Sequence, residues 1–299
     1  MSDDFAARQR QGVYFAFSAY AFWGIAPIYF KWVAHVSPWE ILSHRVIWAL
    51  ILLMVILAWT GDLHRLKMPL RTLPRILVSA TLISANWLIF IYAVVNNNIT
   101  ETALGYFINP LVSIFLGVTF LKESLRPLQW IAVGIAAIGI LIQVLLFGQV
   151  PWIALALAFS FGFYGLYRKN LGLHAVAGLA LETALILPVA LVFLAFWQHQ
   201  GAMVFGSEVE SSLLLMLGGL VTAFPLLCFA AAVTRLSLTV LGFIQYLAPS
   251  MSLLLAVFYY GEPFDSGRLI SFSFIWFALA IFSTESWYHQ RKIQRISLS

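Results

Sequence analysis

The chain has 299 residues, of which 62% are apolar and only 10% are charged, and its mean hydropathy is +0.92. Because soluble domains carry roughly 25% charged residues, this composition excludes an ordinary soluble protein and predicts an all-α polytopic membrane protein. The net charge of +5 is spread over short turns. This distribution argues against a nucleic-acid partner and is consistent with contact between the turns and anionic membrane lipid.

Apolar stretches long enough to be membrane spans follow one another along the chain, since a helix needs about 20 apolar residues to cross the hydrocarbon core. Ser37 before Pro38 predicts a helix start, because proline is favoured at the first helical position. Pro127 and Pro151 mark two further starts, and the polar first 11 residues predict no signal peptide. The ten predicted spans are 12–34, 38–59, 73–95, 101–121, 127–147, 151–167, 176–197, 212–233, 239–260 and 267–288.

Two segments share a pattern in which a Leu-Gly pair precedes a proline and a glutamate follows that proline by 13 residues, and the two prolines are 139 residues apart. The shared residues are Leu104, Gly105, Pro110 and Glu123 in one copy and Leu241, Gly242, Pro249 and Glu262 in the other. They indicate two repeats, 1–148 and 149–299. Five spans per repeat is an odd number, so the second repeat is predicted to be inverted, as in secondary transporters. The two glutamates are expected to be structural caps, or to pair with Lys122, Arg126 or Arg268.

The basic residues support this arrangement. Fourteen of the 17 Lys and Arg residues fall in loops on one side of the predicted spans, and only Arg268 falls in a loop on the other side. By the positive-inside rule, both termini are predicted to be cytoplasmic. The fourteen are Arg8, Arg10, Arg65, Lys67, Arg71, Arg75, Lys122, Arg126, Arg168, Lys169, Arg235, Arg291, Lys292 and Arg295.

Arg45 and Lys31 are the two basic residues that remain after this loop count, and both lie within predicted spans. Arg45 lies about 10 Å along its helix, where an arginine costs roughly 2.5–3.5 kcal/mol, so it should face the bundle interior or an aqueous cavity. One interpretation is a docking group for an anionic or zwitterionic substrate. The alternatives are a structural pair with Glu40 or a side chain that reaches out to the interface. Lys31, near the outer end of its span, has the same choice between substrate and interface.

Glu182 and His44 are the candidates for proton coupling, since a single buried carboxylate suits that role. Subtracting the repeat offset places Glu182 at position 43, beside His44 and Arg45, so Arg45 and Glu182 are predicted to line one central cavity. Alternatively, Glu182 lies at the inner headgroup boundary. His44 follows Glu40 by one helical turn, so the two could form a structural hydrogen bond.

Uncharged polar and aromatic residues within the spans complete the candidate substrate-binding set. Asn109 and Tyr246 flank the repeat prolines, where missing backbone hydrogen bonds loosen a helix. For most of these residues the alternative is packing or hydrogen bonding between helices. The full set is Lys31, Arg45, Asn86, Trp87, Tyr106, Asn109, Glu182, Gln245 and Tyr246.

Motifs for chemistry are absent from the sequence. It has no His-Glu-x-x-His string, no Gly-x-Ser-x-Gly elbow and no phosphate-binding Gly-x-x-x-x-Gly-Lys loop, and its six histidines lack metal-ligand spacing. We therefore expect no catalytic residue, no metal and no cofactor. An intramembrane enzyme and a non-transporting scaffold are kept as alternatives to a transporter.

Eight strings carry a family resemblance that covers nearly the whole chain: Trp23–Pro27, Tyr29–Lys31, His44–Trp48, Asn86–Trp87, Leu104–Leu111, Phe159–Gly165, Pro225–Phe229 and Tyr259–Glu262. In these strings the chain resembles the RarD-like proteins of the EamA family, within the drug/metabolite transporter superfamily. The resemblance implies two EamA repeats, ten spans and a bacterial inner-membrane permease for small metabolites or drug-like molecules, with monomer or homodimer left open.

The predicted topology is testable with one introduced cysteine. In a Cys228→Ser background, Ser266→Cys lies in the outer loop and should react with a membrane-impermeant maleimide added to intact cells from the periplasmic side. Arg71→Cys, in a predicted cytoplasmic turn, is the control and should react only after permeabilisation. If Ser266→Cys also needed permeabilisation, the inverted arrangement would be wrong.

Overall fold

The computed structural model describes residues 2–95, 99–148, 150–261 and 266–297. This part of the chain is helical apart from turns and one isolated bridge. The helices are α1 Ser2–Trp32, α2 Pro38–Trp59, α3 Leu73–Val95, α4 Ile99–Phe120, α5 Pro127–Phe147, α6 Trp152–Leu171, α7 Ala175–His199, α8 Val209–Val233, α9 Leu238–Gln245, α10 Leu247–Leu254 and α11 Ser266–Ser297, with 3₁₀ turns at Asp62–Leu66 and Leu70–Thr72 and a π turn at Leu255–Tyr259.

Nine helical stretches within the described ranges are long and apolar enough to cross a membrane. One of them, Leu238–Tyr259, consists of α9, α10 and the π turn. The sixth predicted span, α6, is not among the nine, because its 20 residues include Arg168 and Lys169 in the last turn. The all-α polytopic class is therefore confirmed, while the tenth span stays a prediction.

The prolines mark helix starts as expected. Pro38 and Pro127 are the first residues of α2 and α5, and Pro151 directly precedes α6. The Ser37 side chain makes no capping hydrogen bond, so proline alone marks that start. The ninth predicted span differs from a continuous helix, since it breaks at Tyr246 between α9 and α10.

Glycines let particular helices approach closely, which is how membrane helices gain packing without a hydrophobic driving force. A Cβ on Gly219 of α8 would lie 2.5 Å from the Trp48 Cβ of α2. A Cβ on Gly242 of α9 would lie 2.7 Å from the Pro110 carbonyl oxygen of α4. The second contact joins the two halves of the chain at one of the repeat prolines.

Helix packing follows a paired pattern. In chain order, α1 to α5 of the first half are compared with α6, α7, α8, α9 with α10, and α11 of the second. Three contacts then occur in matching pairs. The contact of α4 with α6 matches that of α9 and α10 with α1, the contact of α1 with α8 matches that of α6 with α3, and the contact of α2 with α8 matches that of α7 with α3. Contacts of α2 with α7, α4 with α9 and α5 with α11 join helices at the same place in each half. Two repeats related by an approximate two-fold axis would give this pattern, and the inversion of the second repeat stays a prediction.

Glu123, one of the two repeat glutamates, caps a helix of the other half. Its carboxylate accepts hydrogen bonds from the backbone nitrogens of Leu238 (2.7 Å) and Thr239 (2.9 Å) and from the Thr239 hydroxyl (2.7 Å). A Cβ on Gly117 would lie 2.6 Å from this carboxylate, so the glycine makes room for it. A carboxylate is favoured at a helix N-terminus, and the expectation of a capping role is confirmed. Glu262 lies outside the described residues.

The neighbouring basic residues bind elsewhere. Arg126 forms an ion pair with Glu285 of α11, with its Nη2 at 2.6 Å from Oε2. The Lys169 ammonium donates to the carbonyl oxygens of Val233 (3.2 Å) and Leu236, at the end of α8. Lys169 and Glu123 thus bind the two ends of the α8–α9 turn, Lys169 at the end of α8 and Glu123 at the start of α9.

Candidate functional site

Arg45 is held in place by groups from three other helices. Its Nε donates to the Thr222 hydroxyl of α8 at 2.7 Å, and Thr222 in turn donates to the Gly218 carbonyl at 2.7 Å. The guanidinium carbon lies 5.3 Å from the ring centroid of Phe30 on α1 and 5.7 Å from that of Trp87 on α3. Aromatic ring faces attract cations, so these contacts orient the charge.

No counter-charge neutralises Arg45 within the described part of the chain. None of the ion pairs found there includes Arg45, and its Nη atoms have no hydrogen-bond partner among those residues. Glu40, the alternative partner in the sequence analysis, instead accepts from the backbone nitrogens of Val204 (3.0 Å) and Phe205 (2.8 Å). A charge in the membrane interior is expensive unless it is paired or hydrated. The Nη donors of Arg45 are therefore free to bind a further partner.

A series of aromatic rings continues from Arg45 across α1, α3 and α4. Phe30 lies 5.3 Å from Tyr29 and 6.2 Å from Phe90, and Phe90 lies 6.4 Å from Tyr106. Tyr106 is 51% exposed. Three candidate residues, Arg45, Trp87 and Tyr106, therefore share one region. We call it the Arg45 cluster: Arg45, Thr222, Tyr29, Phe30, Trp87, Phe90 and Tyr106.

Glu182 has a separate, closed environment between α3, α6 and α7. It accepts hydrogen bonds from the Ser79 hydroxyl (2.6 Å) and the Tyr164 hydroxyl (3.3 Å), and the Arg168 Nη1 lies 3.6 Å from its Oε1. Glu182 and Arg168 are 0% and 1% exposed. The assignment of Arg168 to a loop was therefore wrong: it is buried in the last turn of α6, where it faces a carboxylate in place of solvent.

Arg45 and Glu182 thus lie in different surroundings. They share no partner among the described residues, and Glu182 already has a cation beside it. The structure does not bring the two together, and a substrate or proton-coupling role for either stays a prediction.

Three other candidates gather where α4 crosses α9. The Ser113 hydroxyl donates to the Gln245 side-chain oxygen at 3.2 Å. The Asn109 Oδ1 and the Tyr246 hydroxyl are buried and have no hydrogen-bond partner in the described ranges. Each unsatisfied buried group costs about 1–3 kcal/mol. This crossing, beside the repeat prolines, therefore holds two buried polar atoms that are free to form hydrogen bonds with another molecule.

The remaining candidates lie apart from one another. The Asn86 amide donates to the Leu157 carbonyl and the Ser160 hydroxyl of α6, both at 3.0 Å, which is the interhelical role considered as its alternative. The Lys31 ammonium lies 3.2 Å from the ring centroid of Tyr260.

His44 stacks on Phe205 with centroids 4.3 Å apart. Its ring nitrogens have no partner among the described residues. The proposed hydrogen bond to Glu40 was therefore wrong, because Glu40 is engaged by the loop between α7 and α8.

Sequence reasoning missed Thr222 as the partner of Arg45, Arg168 as the partner of Glu182, and Gly178, which lies against the Arg168 guanidinium. Thr222 gives no signal, since a lone threonine in a span is common. Arg168 looked like a loop residue because Lys169 and Asn170 follow it, although a buried Glu182 requires a cation nearby. Within the described residues, no group of three or more His, Cys, Asp or Glu could hold a metal ion.

Apolar helices that enclose a few buried charges define a polytopic membrane protein, and the comparisons with known proteins specify its family. The model of the EamA-like transporter family matches residues 10–145. Protein RarD of Escherichia coli is 47% identical and covers 97% of this chain and 99% of its own length. An uncharacterized transporter of Vibrio cholerae is 48% identical, over 92% of this chain and 93% of its own. The chain belongs to the EamA family, and its resemblance to the RarD-like proteins is confirmed.

A solved crystal structure supports the fold. It superposes on this chain with a TM-score of 0.72, covering 91% of this chain and 97% of the other, at 18% sequence identity. At that identity the likeness shows the fold alone.

The Arg168–Glu182 pair depends on a glycine. A Cβ on Gly178 would lie 2.1 Å from the Arg168 Nη1, so Gly178→Ala should displace the guanidinium and destabilise the protein by about 1–3 kcal/mol. Gly134→Ala is the matched control, because no atom lies within 4 Å of its Cβ position, and alanine there should be neutral or stabilising by up to about 1 kcal/mol. Thermal unfolding of the purified variants in detergent measures both, and equal stability of the two would contradict the packing described.

Proposed function

We propose that this protein is a secondary transporter that moves small metabolites or drug-like molecules across the bacterial inner membrane by alternating access. The observation that carries the proposal is the Arg45 cluster. A guanidinium with unpaired donors, inside a bundle of apolar helices, is costly to keep. A role in substrate binding explains why the protein keeps a charge there in spite of that cost.

Two repeats, 1–148 and 149–299, form part of the proposal, with the second inverted and α6 as the sixth of ten spans. The paired packing of the helices supports the two-fold relation. Both termini are then cytoplasmic. The break at Tyr246 and the π turn at Leu255–Tyr259 support a moving ninth span, since discontinuous helices and π turns are typical of transport and other functional sites.

Transport is favoured over the enzyme and scaffold alternatives. Relatives that cover nearly the whole chain include a protein named as a transporter. In addition, the described residues present no metal-binding group for intramembrane catalysis. We therefore propose a non-enzymatic permease that needs a small-molecule substrate and membrane lipid, as monomer or homodimer.

Flux measurements on Arg45 variants test the transport proposal. A thermal-shift screen of amino acids, phenicols and small organic acids first supplies a ligand, and its radiolabelled form is then followed into proteoliposomes. Arg45→Ala should reduce flux at least tenfold while the protein still inserts and folds, and Arg45→Lys should recover only part, because a point charge replaces a planar fork. Arg71→Ala, in an exposed turn, is the control. Unchanged flux in Arg45→Ala would remove the Arg45 cluster from the transport route.

Proton coupling by Glu182 is proposed separately and has its own test. Glu182→Gln alone leaves Arg168 buried without its partner, which costs about 3–5 kcal/mol, so the double variant Glu182→Gln with Arg168→Gln is the cleaner test. If Glu182 carries the coupled proton, the double variant should lose pH-driven accumulation and still exchange substrate across the membrane. Normal uphill transport would make the pair purely structural.

A further inference from the structure

We propose that the Arg45 cluster binds organic monoanions that join a carboxylate, or a similar two-oxygen anion, to a planar apolar body. This inference rests on the proposed function, because it names the substrate class of the same site. Four observations carry it: the missing counter-charge, the direction of the free donors, the single charge, and the ring surface beside them.

Two arginines inside the bundle differ in whether a carboxylate lies beside them. Arg168 is sealed from solvent and lies 3.6 Å from the Glu182 carboxylate. Arg45 is only partly buried and has no carboxylate partner in the described chain. An anionic ligand supplies what Arg45 lacks. A cation would be repelled, and a neutral molecule would leave the guanidinium charge uncompensated.

Geometry decides which edge of Arg45 a ligand meets. Because Nε is taken by the Thr222 hydroxyl at 2.7 Å, the edge formed by the two Nη atoms is the one left free. That edge donates two parallel hydrogen bonds and matches two oxygens on one acceptor. Gly218 supports this placement, since a Cβ there would lie 2.5 Å from the Tyr29 hydroxyl and 3.1 Å from the Arg45 Cγ.

The charge of the ligand follows from the number of cations. Arg45 is the one cation among the residues of the Arg45 cluster, and Lys31 is engaged with the Tyr260 ring. A second negative charge on the ligand would therefore be buried without a partner, at a cost of several kcal/mol. A monoanion avoids that cost.

The apolar body of the ligand is inferred from the rings. Phe30 and Trp87 flank the guanidinium, and the half-exposed ring of Tyr106 is adjacent to Phe90. Aromatic partners prefer offset-stacked or edge-to-face contacts with planar groups. A flat ring joined to the anion by a short linker would bury itself there while its carboxylate reaches the Nη edge.

The competing explanation is structural: Arg45 fastens α2 to α8 through Thr222 and binds nothing. That explanation predicts loss of thermal stability in Arg45 variants and no charge preference among ligands. The proposal predicts a charge preference that disappears with the guanidinium.

Four probes that differ by one feature each distinguish the two: 3-phenylpropionate, 3-phenylpropylamine, 3-phenylpropan-1-ol and propionate. Binding to the purified full chain in detergent is measured by tryptophan fluorescence and equilibrium dialysis. We expect 3-phenylpropionate to bind at least tenfold more tightly than each of the others, about 1.4 kcal/mol. Arg45→Gln should abolish the preference for the anion, Arg45→Lys should keep part of it, and the control Arg71→Gln should keep all of it.

Equal binding of the amine and the carboxylate would overturn the proposal, as would no binding of 3-phenylpropionate at millimolar concentration or unchanged binding in Arg45→Gln. Flux of the same probes into proteoliposomes separates this result from the proposed function. Anion-selective binding without flux would support the ligand class and overturn transport. Flux with no preference for the anion would support transport and overturn the ligand class.

Discussion

The free energy needed to place a charge inside an apolar helical bundle is the constraint on which the interior of this protein depends. Such a charge needs a partner, water or a ligand. Glu182 meets the requirement with Arg168 and with hydroxyl donors from Ser79 and Tyr164. Arg45 meets it only in part, through Thr222 and two ring faces. The difference between these two environments is what separates a paired buried charge from a charge with donors left free.

The same constraint acts at the helix ends. A helix leaves unpaired N–H groups at its start and unpaired carbonyl groups at its end, and in an apolar bundle these groups need side chains. Glu123 satisfies the start of α9 and Lys169 satisfies the end of α8. Because Glu123 belongs to the first half of the chain and α9 to the second, any motion that separates the two must break three hydrogen bonds at this point.

Local signals in the sequence were sufficient for the class, the family and most helix starts, since hydropathy and proline act within a few residues. Pro38 and Pro127 begin their helices as expected. Tertiary partners were out of reach, because Arg45 and Thr222 are separated by 177 positions and nothing in either segment identifies the other. The break at Tyr246 lies three residues before Pro249, where the sequence predicts a loosened helix, although the hydropathy of the ninth span is continuous across it.

The prediction that Arg45 and Glu182 share a cavity used the repeat offset without the helical angle. The offset places Glu182 at the position of Ser43, two residues before Arg45. Two residues correspond to roughly 200° around an α-helix, so equivalent helices would direct these two side chains to nearly opposite faces. The helix starts give a different offset, because α2 begins at Pro38 and α7 at Ala175, 137 residues later. Counted from these starts, Glu182 is at the position of Arg45 in the other half. In either alignment the two side chains have different surroundings, because Glu182 lies 3.6 Å from Arg168 and Arg45 donates to Thr222 of α8. The repeat therefore indicates which helices carry a charge, while the tertiary partners of each charge decide whether it is paired.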